Sequence, residues 1–496
     1  MPAITRLDEV EVHSLDAADG PLIARLTFRV GAVDETVSTL GLSHLVEHVA
    51  LDGVDGLEPD VNGESRMTYT AFQVKGTPEV VVRRLGQICS RIADLAIGRL
   101  PVTEVDRSRR VLLAERGGPM GDQIAAEHLH VRLGATGFGL GAVPARFTAR
   151  FSAEEASAWA GEHFTAGNAV LALSGPVPEG LRLPLPAGAR RTPPDTPALD
   201  HSLPGEYLSG AEEPSLSFVA PDILEAPAAT AVLLGTLRSR VFRRLRQETG
   251  IVYDIAPDVA VVGRRGVVVV AVRCSDRDAV AAMEGVLSIL RDLRDGGVTD
   301  AEREQAALEF AEARAETTPF DALCRDADDA LLGWPPLTQV GEQDIRAVRD
   351  EDLAALLAQL ERTLLVGFGP GSRTEEEVLA GDTRMLPRAE RPDGPAIEGE
   401  QFRPGLMVRM GGLRLRCTVG ERGLGLDLPD GRVGVLWEEV VAWSATTDED
   451  GIDVVSIETL DGGGGDIPVG LMKHGDRLRS LLLANLPERL RLPDDV

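Results

Sequence analysis

Lysine is almost absent from this chain. Lys75 and Lys473 are the only two in 496 residues, and acidic residues outnumber basic ones 79 to 51, giving a formal net charge of −28. Such a surface argues against a nucleic-acid partner and against an anionic membrane, because both kinds of binding need Lys and Arg to neutralise phosphates. Basic or unfolded peptides would be electrostatically compatible with it. Cysteine is scarce as well: Cys89, Cys274, Cys324 and Cys417 lie far apart with no C-x-x-C pair. That pattern argues against cysteine-ligated zinc and fits a reducing cytoplasm, with the thiols as small core residues. The longest apolar run, GVVVVAV at 266–272, falls far below the ~20 residues a membrane helix needs. The opening, MPAITRLDEVEVHSLDAADG, has no basic stretch followed by an apolar core. Neither export nor membrane insertion is expected.

What is present points to several domains. The length exceeds what one hydrophobic core organises, and two proline-rich, weakly periodic stretches at 181–207 and 386–404 read as linkers. They delimit units at 1–180, 208–385 and 405–496. The first two units share an order of segments. Each opens with a strand-like piece (RLTFRVGAV, PSLSFVA), then a helix (LSHLVEHVAL, LLGTLRSRVFRRLRQE), β-rich segments and a long amphipathic helix. A further helix follows in each, from VTEVDRSRRVLLAE and VTDAEREQAALEF, with capping-box signatures at Thr103/Asp106 and Thr299/Glu302. The expected fold class is α+β, a sheet with helices packed on one face, used twice.

The third unit reads differently. Short alternating runs such as GLGLDL, GVLWEEVVAWSA and VVSIETL end in the helical GDRLRSLLLANL, which predicts a small β-barrel closed by one helix. With Trp437 after a hairpin, the pattern resembles pleckstrin-homology-like domains. Gly462 to Gly465 read as a hairpin turn, since no Gly-Lys-Ser/Thr follows them as a phosphate loop requires.

The chemistry concentrates in GLSHLVEHVALDG at 41–53, where His44, Glu47 and His48 form H-x-x-E-H. In a chain with eight histidines, this is roughly a one-in-a-hundred coincidence. On a helix His44 and His48 stand one turn apart on one face with Glu47 beside them, while Leu42, Leu45, Val46 and Val49 supply the apolar face. A catalytic metal site usually takes three protein ligands. In TEVDRSRRVLLAERGGP the stripe Val105, Ser108, Leu112, Glu115 puts Glu115 on the core-facing side, where a carboxylate needs a cation. The alternative is that Glu115 turns sideways to pair with Arg109 or Arg116. Glu127 is the fallback third ligand, and His128 and His130 are expected to be solvated helix residues.

These residues resemble the pitrilysin/insulinase family, the inverzincins with H-x-x-E-H, and most closely its mitochondrial-processing-peptidase-like branch. The resemblance runs over roughly residues 20–385. It rests on VGAVDE with GLSHLVEHVALDG, on NGESRMTYTAFQV, on RRVLLAERG, and on SRVFRRLRQETGIVYDI, whose Arg246 and Tyr253 match the signature of the family's second half. It implies His44, His48 and Glu115 as Zn²⁺ ligands, Glu47 as general base toward water, and Arg246 and Tyr253 as groups that orient the peptide and stabilise the oxyanion. In the family the zinc comes from one half of a clamshell and the arginine-tyrosine pair from the other, which implies a homodimer or a heterodimer with a related subunit. Two departures stand out: the interval from His48 to Glu115 is shorter than usual, and Ser108 replaces a frequent acidic residue. The expected function is a zinc-dependent endopeptidase acting on short or unfolded peptides; the alternative is a catalytically weak or inactive subunit serving as partner or scaffold.

Overall fold

The computed structural model describes residues 3–492, apart from 17–19, 55–59, 116–122, 193–204, 209–212, 221–226, 263–264, 335–339, 370–394, 407–414, 429–430, 448–450 and 463. Among these residues no helix is long and apolar enough to cross a membrane.

The first lobe runs through β1 (Ala3–Leu7), β2 (Val10–Ser14), β3 (Leu22–Phe28), α1 (Leu42–Leu51), β4 (Val61–Ser65), β5 (Thr70–Gly76), α2 (Pro78–Ala96), α3 (Val102–Ala114), α4 (Gln123–Leu133), α5 (Ala153–His163) and β6 (Ala169–Leu173). Its strands form one sheet in the order β1-β2-β6-β3-β5-β4. Leu22, Ala24, Leu26 and Phe28 alternate inward along β3, the period-two pattern of a strand with a covered face. On α2, Val81, Leu85, Ile88, Ile92 and Leu95 make the helical stripe that meets that face.

The second lobe repeats the plan with β7 (Gly205–Leu208), β8 (Ser215–Ala220), α6 (Pro227–Val241), β9 (Val252–Val262), β10 (Arg265–Cys274), α7 (Ala279–Gly296), α8 (Asp300–Ala315), α9 (Pro319–Leu332), α10 (Glu342–Arg346), α11 (Asp350–Leu360) and β11 (Leu365–Phe368). Its sheet order, β7-β11-β8-β10-β9, matches β2-β6-β3-β5-β4 strand for strand. Both sheets have the same parallel pair, β2 with β6 and β7 with β11. The lobes also exchange helices. Leu323, Ala327 and Leu331 of α9 pack on Val170 and Ala172 of the first sheet, and Ala125 and Leu129 of α4 pack with Val219, Val267 and Val269 of the second. Each sheet is thereby covered on its back by a helix from the other lobe.

Local signals held unevenly. Thr299 caps α8, accepting from the Glu302 N–H at 3.2 Å while the Thr299 N–H donates to Glu302 Oε2 at 2.9 Å. The corresponding Thr103/Asp106 box does not form. Pro101, with φ −57°, precedes a helix that already begins at Val102, which leaves Thr103 inside the first turn. Leu181 and Leu183, in the stretch expected to link the lobes, are buried in the first core.

The third unit places β12 (Glu400–Phe402), β13 (Arg416–Val419), β14 (Gly423–Leu428) and β15 (Gly431–Leu436) in one sheet, β16 (Val440–Thr447), β17 (Asp453–Thr459) and β18 (Gly464–Ile467) in another, and then α12 (Gly475–Asn485). The expected closed barrel is not found: neither sheet closes on itself among the described residues. A short turn at Trp437–Glu439 takes the chain out of one sheet before β16 starts the next. Alternation in sequence decides which side chains face inward and says nothing about which strands pair.

Candidate metal centre

Helix α1 starts without a capping side chain. Gly41 holds its N-cap at φ 103°, a conformation glycine adopts without steric cost. The orphan N–H groups are taken by a residue from the preceding loop: the Gly41 N–H donates to Glu35 Oε2 at 2.8 Å and the Ser43 N–H to Glu35 Oε1 at 2.7 Å. Glu35 is buried, and burial pushes its carboxyl up to about 7 against the pull of those donors. Sequence reasoning missed Glu35. The available signal was an acid shortly before a helix start that lacks a cap of its own.

From this start α1 buries Leu42, Leu45, Val46 and Val49 and turns His44 and His48 to the other side. Their Nε2 atoms lie 3.2 Å apart. Helix α3 is tied alongside by the Arg107–Asp52 ion pair and by Arg91, which pairs with Glu104 at 3.0 Å and donates to the Val49 carbonyl at 2.9 Å. Val105, Ser108 and Leu112 face the core. Glu115 departs from the expected stripe, its side chain 46% exposed, because α3 stops at Ala114 and Glu115 is the C-cap. Its carboxylate reaches across the helix end, Oε2 standing 3.3 Å from His48 Nε2 and 3.6 Å from His44 Nε2. Arg109 does not pair with Glu115, donating instead to the Phe151 carbonyl at 2.6 Å; Arg116 lies outside the described residues. Glu127, the fallback ligand, accepts from Gln123 at 3.2 Å and is not in the cluster.

The three donor atoms lie within 4.8 Å of one another. Donors bound to one tetrahedral cation at zinc-like bond lengths of about 2.0–2.2 Å stand about 3.3–3.5 Å apart. The measured separations of 3.2, 3.3 and 3.6 Å fall around that edge length, and two imidazoles with a carboxylate are a donor set that suits Zn²⁺. Burial, and next the neighbouring His48, push the His44 imidazole down to about 4. It is therefore neutral at ordinary pH, the form that offers a lone pair.

Glu47 sits beside this cluster. It is buried, its Oε2 lies 3.6 Å from His44 Nε2, and it accepts from Ser65 Oγ at 3.4 Å. Burial pushes its carboxyl up to about 8, with the negative charges of Glu115 and Glu64 acting in the same direction. Gly63 of β4 makes room for it.

Arg246 and Tyr253 come together on the second lobe. After α6 the helix widens into a π-turn over Phe242–Glu248, a local departure common at functional sites. It stacks the Arg246 guanidinium between Tyr253 and Phe242, 4.8 and 4.9 Å from the ring centroids. Phe242, also missed from the sequence, is 40% exposed and Tyr253 66% exposed. Among the described residues no hydrogen bond or ion pair joins Arg246 or Tyr253 to the histidine cluster. His128 is not solvated as expected, and His130 is half-buried. His128 is wholly buried between Ser215 and Ser217, and His130 Nδ1 is 3.0 Å from the Gly139 carbonyl. The second lobe's sheet covers the face of α4 that sequence alone leaves open.

Comparison with known proteins places the fold. Residues 214–309, which include Arg246 and Tyr253, match the family described as Peptidase M16 inactive domain. No curated protein matches the chain in sequence. Among solved structures, the chain is similar to a protease from Helicobacter pylori, with 14% identity and a TM-score of 0.60 over 75% of this chain and 99% of that one. It is likewise similar to a peptidase M16 inactive domain from Pseudomonas fluorescens, with 15% identity and a TM-score of 0.59 over 74% and 98%. Against the periplasmic protease PqqL from Escherichia coli the values are 15% and 0.58, covering 88% of this chain and 55% of PqqL. At these identities the likeness is one of fold, and the fold is that of M16 peptidase structures.

Proposed function

We propose that this chain is a Zn²⁺-dependent endopeptidase in which His44, His48 and Glu115 hold the metal and Glu47 is the general base. The observation that carries the reading is the spacing of the three donor atoms, 3.2 to 3.6 Å, together with a buried carboxyl adjoining them. Zn²⁺ held by His44, His48 and Glu115 would supply Lewis acidity toward a peptide carbonyl and would favour the ionised form of the Glu47 carboxyl beside it. Glu47, held by Ser65 and the close backbone of Gly63, takes a proton from the attacking water and returns it to the leaving amine. Strand β4 is the edge of its sheet, so a short or unfolded peptide adds there as a further strand, paired through main-chain groups beside Glu47. Arg246 and Tyr253 orient the peptide and stabilise the oxyanion when a second copy or a related subunit brings them to the centre. In the third unit, four strands, three strands and then a helix support the pleckstrin-homology-like reading.

A second reading is a catalytically weak partner subunit. It is favoured by Ser108 in place of an acid and by the match to an inactive domain, although that match lies in the lobe without the histidines. Metal analysis and digestion of a peptide library separate the two. About one zinc per chain is expected, lost in His48→Ala and kept in Glu47→Gln, with cleavage lost in both. Metal-free protein that still cleaves peptides would sink the mechanism, and a zinc-loaded chain that cleaves nothing would favour the partner subunit.

A further inference from the structure

We infer that the third unit is a positioning element of the metal centre, bracing a loop that touches both metal-bearing helices; the inference rests on the zinc reading above. The loop is residues 143–151. On one side it packs under the start of α1: a Cβ on Gly41 would stand 3.1 Å from Thr148 Oγ1, 3.5 Å from Ala145 Cβ and 3.7 Å from the Phe151 ring. Phe147 and Phe151 are buried in the same core as Leu42 and Leu45. The loop also holds α3, because the Phe151 carbonyl accepts from Arg109 at 2.6 Å. The histidine helix and the glutamate helix therefore take part of their relative placement from this one segment.

The third unit grips the loop and the end of α4 from the opposite side. Arg146 pairs with Glu458 of β17, Arg150 Nη1 donates to the Arg491 carbonyl at 2.8 Å, and the Ala135 N–H donates to the Leu460 carbonyl at 2.8 Å. Two glycines mark how close the surfaces come. A Cβ on Gly134 would stand 2.4 Å from the Leu460 carbonyl oxygen, and one on Gly462 would stand 2.6 Å from His130 Nε2. Ala442 of β16 is fully buried within the first-lobe core, with Val441 and Leu492 packed against it. A backbone hydrogen bond, an ion pair and a shared apolar contact make this a built interface rather than a loosely tethered module. Loosening it frees the loop, lets the start of α1 and the end of α3 drift apart, and weakens the three-donor site with every ligand still present.

The test uses the full chain and the metal alone. Zinc affinity is measured by chelator competition, and donor geometry by the visible spectrum of the Co²⁺-loaded protein, for wild type, Arg146→Glu, Glu458→Arg and the double swap. Each single reversal is expected to weaken zinc about 10-fold and alter the Co²⁺ spectrum, and the swap to restore both. Gly462→Ala, which wedges the same interface without a charge change, should weaken zinc in the same way. Single reversals that bind zinc as tightly as wild type overturn the inference. So does weakening that the swap fails to relieve, since the loss then lies in folding rather than in docking. A wild-type chain that takes up no zinc overturns the metal reading, and this inference with it.

Discussion

Glu47 and Gly63 are in contact so close that a Cβ on the glycine would stand 2.4 Å from Glu47 Oε1 and 2.8 Å from its Cδ. The Glu47 carboxyl, the proposed general base, is thus held by the absence of a side chain on the edge strand. Gly63→Ala should push the carboxylate off its place, costing about 1–3 kcal/mol through overpacking. Misplacing a catalytic group by about 1 Å costs up to about 100-fold, so kcat should fall about 10- to 100-fold. Zinc stoichiometry should stay at the wild-type value. Steady-state kinetics with metal analysis decide it, and an unchanged kcat would show that Glu47 does not depend on this contact.

His128 makes the lobe interface sensitive to acid. Its Nε2 and Nδ1 lie 2.9 Å from Ser215 Oγ and Ser217 Oγ, while Arg132 donates to Ser217 Oγ at 2.7 Å and to the Thr363 carbonyl at 2.9 Å. Burial, and then the Arg132 charge, hold the imidazole well below its ordinary value. The unfolded chain takes up a proton near pH 6.5 and the folded chain resists it. This group's contribution is therefore complete above about pH 6.5 and falls by about 1 kcal/mol for each pH unit below. His128→Gln should flatten that part of the profile, as read from urea midpoints between pH 5 and 8. Parallel profiles for the two proteins would count against it.

The Arg240–Glu302 pair works in the opposite sense of charge but the same direction of pH. Arg240 Nε and Nη2 donate to Glu302 at 2.9 and 3.0 Å, and these bonds are the leading cause that lowers the Glu302 carboxyl to about 2. A depressed carboxylate stabilises the fold above its unfolded pKa, and the contribution disappears as pH falls from about 4.5 to about 2. Allowing for solvent screening, Glu302→Gln should cost about 1–2 kcal/mol at pH 7 and nothing near pH 2. Denaturation curves at the two pH values check this, and an equal cost at both would mean that packing, not charge, is what the variant loses.

The sequence revealed what is local and periodic. The apolar stripe of α1, its histidine pair and the segment order of the two lobes all follow from spacing along the chain, and the structure returns them as a donor cluster and two sheets of matching strand order. Glu35 was not legible because it acts through backbone N–H groups beyond a loop, an arrangement with no side-chain pattern. His128 was misread because helical periodicity shows which face is apolar but not what covers a polar one. Glu115 reads from the sequence as core-facing, but it is the C-cap of α3 and half-exposed, since where the helix ends decides where its last carboxylate points. The third unit's strands were seen and their pairing was not, because one alternating pattern serves a closed barrel and two open sheets equally.

The Arg246–Tyr253 stack is preassembled and Tyr253 is exposed, and among the described residues no hydrogen bond or ion pair joins it to His44, His48 or Glu115. A group that stabilises an oxyanion has to lie near 3 Å from it, and a second subunit is one way to bring the pair there. In a twofold homodimer each centre would combine His44, Glu47, His48 and Glu115 of one chain with Arg246 and Tyr253 of its partner. Glu47→Gln and Tyr253→Phe should each be impaired alone. Mixed and allowed to exchange subunits, about half the dimers become hybrids with one intact centre of two, so activity should recover to roughly a quarter of wild type. Recovery is read by peptide hydrolysis, with exchange verified by mass-tagged subunits. No recovery despite exchange would mean that each centre is completed within one chain, and an active form isolated only with a different protein would mean that a related subunit supplies the pair.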